Sequence, residues 1–126
     1  MSEAPKQLLP IEWMASAKSD LSAFPQDVKD EVGQSLFLAQ LGETATNVKA
    51  LQGFGGASVQ EIRANDASGT YRTVYTVKFK GALYVLDAFQ KKSTSGIKTA
   101  RVDIDRIKAR LKAAEQHYAT HYKRKG

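Results

Sequence analysis

The chain has 126 residues, 42% hydrophobic and 25% charged, with a formal net charge of +6 and no cysteine. This size and balance describe one globular domain and exclude general disorder and collagen-like chains. The absence of cysteine excludes disulfide frameworks, cysteine-ligated zinc, iron–sulfur clusters and thiol nucleophiles.

The charge is uneven. Residues 1–58 hold four Lys/Arg against seven Asp/Glu, a net of −3, and residues 59–126 hold fifteen against six, a net of +9. So basic a second half suits a polyanionic partner, nucleic acid ahead of an anionic membrane surface. No run approaches the roughly 18 apolar residues a membrane span needs. Met1 to Pro10 lacks a basic region followed by an apolar stretch, so no secretory signal and a cytoplasmic location are expected.

A single domain over 1–126 is expected, frayed at 1–6 and 119–126. Leu8 to Trp13 reads as a short strand, confined to a sheet edge by Pro10. Met14, Ala17, Leu21 and Phe24 recur at helical spacing, and Pro25 suits the first turn of a new helix. Val28, Val32, Leu36 and Ala39 form its apolar stripe, and Gly42 its stop. Residues 14–41 are thus two helices, or one helix broken at Pro25. Residues 42–58, polar and glycine-containing, read as a loop that matches neither a Walker loop nor a dinucleotide fingerprint.

The following stretch has the clearest pattern. Val59–Asn65, Thr70–Phe79 and Ala82–Gln90 read as strands separated by the turns Asp66–Gly69 and Lys80-Gly81, which makes an antiparallel meander. Residues 91–99 form a basic loop. Thr99 is placed to cap a last helix starting near Ala100, with Ile104, Ile107, Leu111, Ala114 and Tyr118 as its apolar stripe. His117 and His121 stand at i and i+4 on that helix with no third ligand in sight, so no metal is expected, nor any cofactor.

Register assigns the faces. A two-residue Lys80-Gly81 turn pairs Val77 with Tyr84 and Tyr75 with Leu86. It puts Tyr71, Tyr75, Val77, Phe79, Tyr84 and Leu86 on one apolar side for the helices to cover. Asp66–Gly69 as a turn pairs Arg63 with Arg72 and sets Glu61 opposite Val74. Glu61, Arg63, Arg72, Asp87, Phe89 and Lys91 then converge at one end of the other side. A one-residue slip would instead bury Arg63. The cluster is either a charge network on a solvated face, with Glu61 and Asp87 relieving the paired arginines, or an anion site where Phe89 offers a surface for a base. The adjoining Phe89-Gln90-Lys91-Lys92-Ser93, with two cations, an amide and a hydroxyl, favours the second.

At these residues the chain resembles the phage-derived, HigB-like toxins of the RelE/ParE toxin–antitoxin superfamily. The resemblance runs from about Pro25 to Leu111. It is carried by Val59-Gln60-Glu61-Ile62-Arg63 and Tyr71-Arg72-Thr73-Val74-Tyr75. The most specific segments are Leu83 to Ser93 (LYVLDAFQKKS) and Gly96-Ile97-Lys98-Thr99. Asp87 stands where the group often has histidine, and Ala100 where it often has proline. The resemblance implies an α+β fold with two N-terminal helices packed on an antiparallel sheet, formed by the short N-terminal strand and the three-stranded meander, and a C-terminal helix. It implies the toxin of a type II toxin–antitoxin system, a metal-free endoribonuclease cutting mRNA on the ribosome. The alternatives are a ParE-like inhibitor of DNA gyrase and a basic, phage-derived RNA-binding accessory protein. The implied partners are a helix-turn-helix antitoxin, in a toxin–antitoxin hetero-oligomer, and the ribosome with its mRNA; no membrane is implied.

For cleavage by 2′-OH attack, Arg63 and Arg72 are the candidates to stabilise the extra negative charge on the phosphate. Lys91 or Lys92 would move the protons, with Glu61 or Asp87 as base. Phe89 would stack on a base, with Gln90 and Lys98 among the substrate contacts. Tyr71 falls on the apolar side and is assigned to the core; Trp13 is a core or antitoxin contact. The Lys123-Arg124-Lys125 run is a solvated tail adding affinity for rRNA.

Overall fold

The structure is a computed structural model and describes residues 7–55, 58–91 and 99–122. Its elements are β1 (Ile11–Trp13), α1 (Ala17–Ser22), α2 (Gln26–Gln40), β2 (Val48–Ala50), β3 (Gln60–Asp66), β4 (Gly69–Thr76), β5 (Leu83–Gln90) and α3 (Arg101–His121). The strands form one mixed five-stranded sheet in the order β1-β5-β4-β3-β2, with β1 parallel to β5 and the other pairs antiparallel. The α+β class and the helix pair at the start are as expected. No described helix is long and apolar enough to cross a membrane.

Pro25, which has no N–H to continue α1, separates α1 from α2 with its ψ at 150°, and Gly42 ends the second helix region at φ +86°. Val28, Val32, Leu36 and Ala39 are buried on one sheet face, with Phe24, Ile62, Tyr71, Tyr75, Val85 and Ala88 in the same cluster. Each large aliphatic side chain buried here contributes roughly 1.5–3 kcal/mol. On the opposite face α3 lays Ile107 and Ala114 into a second core with Val59, Val74, Phe79, Tyr84 and Leu86. Ile104, Leu111 and Tyr118 pack on it. The sheet is covered on both sides.

Three expectations need correction. Residues 42–58 are not all loop, because Val48–Ala50 pairs with Gln60–Ile62 as an edge strand. Three residues are too few for a visible alternation. The second hairpin is not closed by a two-residue turn either. β4 ends at Thr76 and β5 begins at Leu83, so six residues connect them, with a local turn closed by Ala82 N–H donating to Phe79 O at 3.2 Å.

The register is rescued by a bulge. Thr76 pairs with Tyr84 and Tyr75 with Val85, and the ladder then shifts so that Val74 meets Asp87, Thr73 meets Ala88 and Arg72 meets Phe89. Leu86 is the extra residue, and Leu86 and Asp87 both engage the α3 side. Tyr84, Leu86 and Phe79 therefore belong to the α3 core rather than to the Tyr71–Tyr75 side, and Val77 is 44% exposed. The third correction concerns Thr99. Ala100 is the N-cap of α3 and no side chain caps that helix; the Thr99 hydroxyl donates to Glu61 instead.

Candidate functional site

The first hairpin has the expected register, Arg63 opposite Arg72 and Glu61 opposite Val74. Two rows of side chains thus cross the α3 face of the sheet. Arg63, Arg72 and Phe89 form one, and Lys49, Glu61, Val74 and Asp87 the other.

Like-charged arginines side by side need a counter-charge, and Glu61 supplies it. Its Oε1 accepts from Arg63 Nε at 3.2 Å and from Arg72 Nη1 at 3.0 Å, while Oε2 accepts from Thr99 Oγ1 at 2.7 Å. Glu61 and Arg72 are buried, at 1% and 4% exposure; the Arg63 side chain keeps 28%. Burial lowers the Arg72 pKa, the attraction of Glu61 opposes this, and the neighbouring Arg63 cation adds to the lowering. Arg72 Nε is buried without a hydrogen-bond partner.

Asp87 is the second hub, and its partners come from α3. Arg110 Nη1 donates to its Oδ1 at 2.9 Å and Arg106 Nε to its Oδ2 at 2.8 Å. Arg106 also donates to Asp103 at 2.7 Å, and Arg110 to the Leu86 carbonyl at 3.0 Å. Burial alone would lower the Arg106 pKa, but its bonds to Asp103 and Asp87 and their negative charges outweigh burial and raise it. The Arg106 guanidinium lies 5.5 Å from the Phe89 ring centre.

Two grooves open beside these hubs. One, about 620 Å³, is bounded by Lys49, Leu51, Glu61, Arg63, Thr99 and Ile104. The other, about 560 Å³, is bounded by Phe24, Tyr71, Asp87, Phe89, Gln90 and Arg106. Of the residues singled out from sequence, Glu61, Arg63, Arg72, Asp87 and Phe89 share the α3 face, while Gln90 pairs with Tyr71 on the other. Arg63 and Glu61 meet at the first groove, Asp87, Phe89 and Gln90 at the second, and Arg72 is buried in the row joining them. Lys91 follows β5, its N–H donating to Thr70 O at 2.8 Å. Lys92 and Lys98 lie outside the described residues, as does the Lys123-Arg124-Lys125 run.

Tyr71 is on the α1–α2 side as expected, packed on Phe24 with 4.7 Å between ring centres and its hydroxyl bonded to Ser68 Oγ at 2.6 Å. Trp13 packs against the same core. The strands of the sheet carry no histidine; both histidines are on α3. α3 sets His117 Nδ1 2.7 Å from the hydroxyl of Tyr84. Burial first, then the Glu12 carboxylate and the tyrosines Tyr122 and Tyr118, push the Tyr84 pKa up to about 12. Among the described residues no group of three or more His, Cys, Asp or Glu is placed to hold a metal.

Sequence reasoning missed Lys49, Arg106 and Arg110. Lys49 sits in the short edge strand read as loop. Arg106 and Arg110 stand at i and i+4 beside the apolar stripe of α3, and that spacing, matched to an acidic residue on the covered face, is the signal that would have found them. Chemically, the first groove combines apolar walls with a half-exposed arginine whose Nε is fixed by a buried carboxylate. Such a fixed donor suits an anion, and its hold is strongest on one whose charge grows during reaction.

A family model described as "Phage derived protein Gp49-like" matches residues 19–112. Among solved structures, a mutant of the E. coli toxin RelE in the free state is similar with a TM-score of 0.52 and 16% identity, over 69% of this chain and 87% of that one. At that identity the likeness concerns the fold. The toxin–antitoxin complex RelBE2 from Mycobacterium tuberculosis gives a TM-score of 0.46 and 20% identity, over 66% of this chain and 98% of that one. No curated protein matches.

Proposed function

The chain belongs to the phage-derived Gp49-like family, and from that membership and the RelE-like fold we propose that it is the toxin of a toxin–antitoxin pair, an endoribonuclease that cuts mRNA on the ribosome. The observation that carries this reading is Arg63, a residue of the basic half of the chain, held through Nε by buried Glu61 at the mouth of an apolar-walled groove.

In this reading an RNA phosphodiester lies against Arg63. Attack by its 2′-OH, which loses its proton, adds negative charge to the phosphate, which the guanidinium stabilises; the bond to the 5′-oxygen then breaks, that oxygen takes up a proton, and a 2′,3′-cyclic phosphate is left. Arg72 acts from beneath, its charge tied to the same carboxylate. Proton transfer falls to lysines, Lys91 after β5 and Lys49 at the groove, with Lys92 the next in sequence. Asp87 has both oxygens occupied by α3 arginines, so it orders α3 rather than serving as base. Phe89 and Gln90 contact a neighbouring nucleotide. The protein acts in the cytoplasm and is held inactive by a helix-turn-helix antitoxin in a hetero-oligomer.

Induction in cells tests this. The expected outcome is growth arrest with new mRNA 5′ ends inside translated codons, both lost in Arg63→Ala. Arrest with intact mRNA and DNA-damage signalling would replace the proposal with gyrase inhibition.

A further inference from the structure

The sheet is left open along one edge, beside the second groove. β1 pairs only with Leu83–Val85 and is the last strand on that side, so no described strand lies beside Leu86–Gln90. Lys91 N–H donates to Thr70 O of β4. Main-chain groups alternate in direction along a strand. Those of Asp87 and Phe89 therefore face β4, and those of Ala88 and Gln90 point out of the sheet. Side chains seal the half of this edge nearer β1. Asp87 Oδ1 accepts from Ala88 N–H at 2.9 Å, and Arg110 donates to Leu86 O at 3.0 Å. Beyond them the edge presents one acceptor and one donor, Ala88 C=O and Gln90 N–H. Both residues line the groove, whose walls come from the two faces of the sheet. Phe89 and Arg106 stand on the α3 side, and Phe24 and Ala23 on the α1–α2 side.

We infer that this groove seats one unpaired nucleobase of an RNA strand, hydrogen-bonded through its Watson–Crick edge to Ala88 C=O and Gln90 N–H and stacked between Arg106 with Phe89 on one side and Phe24 on the other. The inference rests on the RNA reading above and adds which part of the RNA this groove takes. A base bonded to a strand edge lies near the plane of the sheet, which sets its two ring faces against side chains above and below. Every base carries a donor next to an acceptor on its Watson–Crick edge, so the main chain accepts any base, but only an unpaired one, because pairing uses the same edge. The charges agree. Arg106 and Arg110 are matched by Asp87 and Asp103, so the groove suits a neutral base stacked on a guanidinium rather than a phosphate. The phosphate falls to Arg63, which is opposite Arg72, itself opposite Phe89, two strand spacings or roughly 10 Å away. A pairing strand from a protein partner would need a longer run of edge, which Asp87 and Arg110 deny it.

NMR titration of the isotope-labelled, full-length protein with a short single-stranded RNA of mixed sequence, and with that RNA annealed to its complement, tests the seat. Salt at about 0.15 M keeps non-specific phosphate contacts weak. The single strand is expected to shift the Gln90 backbone amide and the Phe24 and Phe89 ring signals saturably, and the duplex to leave them in place. Ala23→Trp, at an exposed position on the groove wall, fills the seat. It weakens single-strand binding about fivefold or more, while the far-ultraviolet circular dichroism stays that of the parent. No shift at Gln90, equal shifts with the duplex, or binding that Ala23→Trp leaves unchanged overturns the inference. So does loss of the same signals at rising protein concentration without RNA, which would make the edge a contact between two copies. Cleavage is read separately. Seat binding without breaks in translated message supports the seat and overturns only the cleavage reading; breaks without seat binding do the reverse.

Discussion

Glu61 shows how a single buried side chain organises a face. Three donors from β3, β4 and the approach to α3 converge on its two oxygens. Glu61→Ala leaves Arg72 buried without its counter-charge, and a loss of about 3–5 kcal/mol is expected in urea unfolding. Glu61→Gln, which keeps an acceptor, should lose less. The same burial makes Arg72→Ala an ambiguous functional probe, whereas the half-exposed Arg63 separates activity from folding. Arg63→Ala should lower cleavage by about 10²–10³ and leave the unfolding midpoint near that of the parent. Gly69 is fixed by a different constraint. At φ +144° a Cβ would stand 2.6 Å from Gln90 Nε2, which donates to Ser68 O. Gly69→Ala should cost about 1–2 kcal/mol, from backbone strain and from displacing that amide.

The central hairpins were the most legible elements, because a single turn signal and strand parity fix every cross-strand neighbour of Arg63. Legibility failed where one residue breaks parity. The bulge at Leu86 cannot be read from Leu83 to Gln90, where both faces are buried and alternation disappears. That is why Tyr84 and Leu86 were assigned to the wrong side. The stripe of α3 was readable, but not the face it covers. Its dock depends on Asp87 meeting Arg106 and Arg110 across separate elements. Ile107, fully buried on that stripe, should cost about 2–5 kcal/mol when changed to alanine. Asp87→Ala frees both arginines. Hydrogen exchange in the first turns of α3 should then accelerate relative to β3 and β4; unchanged exchange would mean that the apolar stripe alone holds the helix.

Across the whole molecule the sheet is clamped between α1 and α2 on one face and α3 on the other, and tyrosines close the far end. Tyr122 donates to Glu12 of β1, and that bond, then burial and the nearby charge, raises its pKa to about 12, where Tyr84 also lies. Both are raised above the ordinary value of 10.0. Their stabilising contribution is therefore complete below pH 10 and is lost as pH climbs to about 12. Tyrosinate absorbance should lag for these two side chains, and stability should fall within that window. In the proposed function, the fixed Arg63 on this face promotes cleavage of RNA. A cell-free translation reaction given purified protein, with primer extension on the message, tests this. Breaks within codons of translated message are expected, none without ribosomes, and none with Arg63→Ala. Intact message alongside blocked supercoiling by gyrase, or breaks of equal strength with Arg63→Ala, would contradict it.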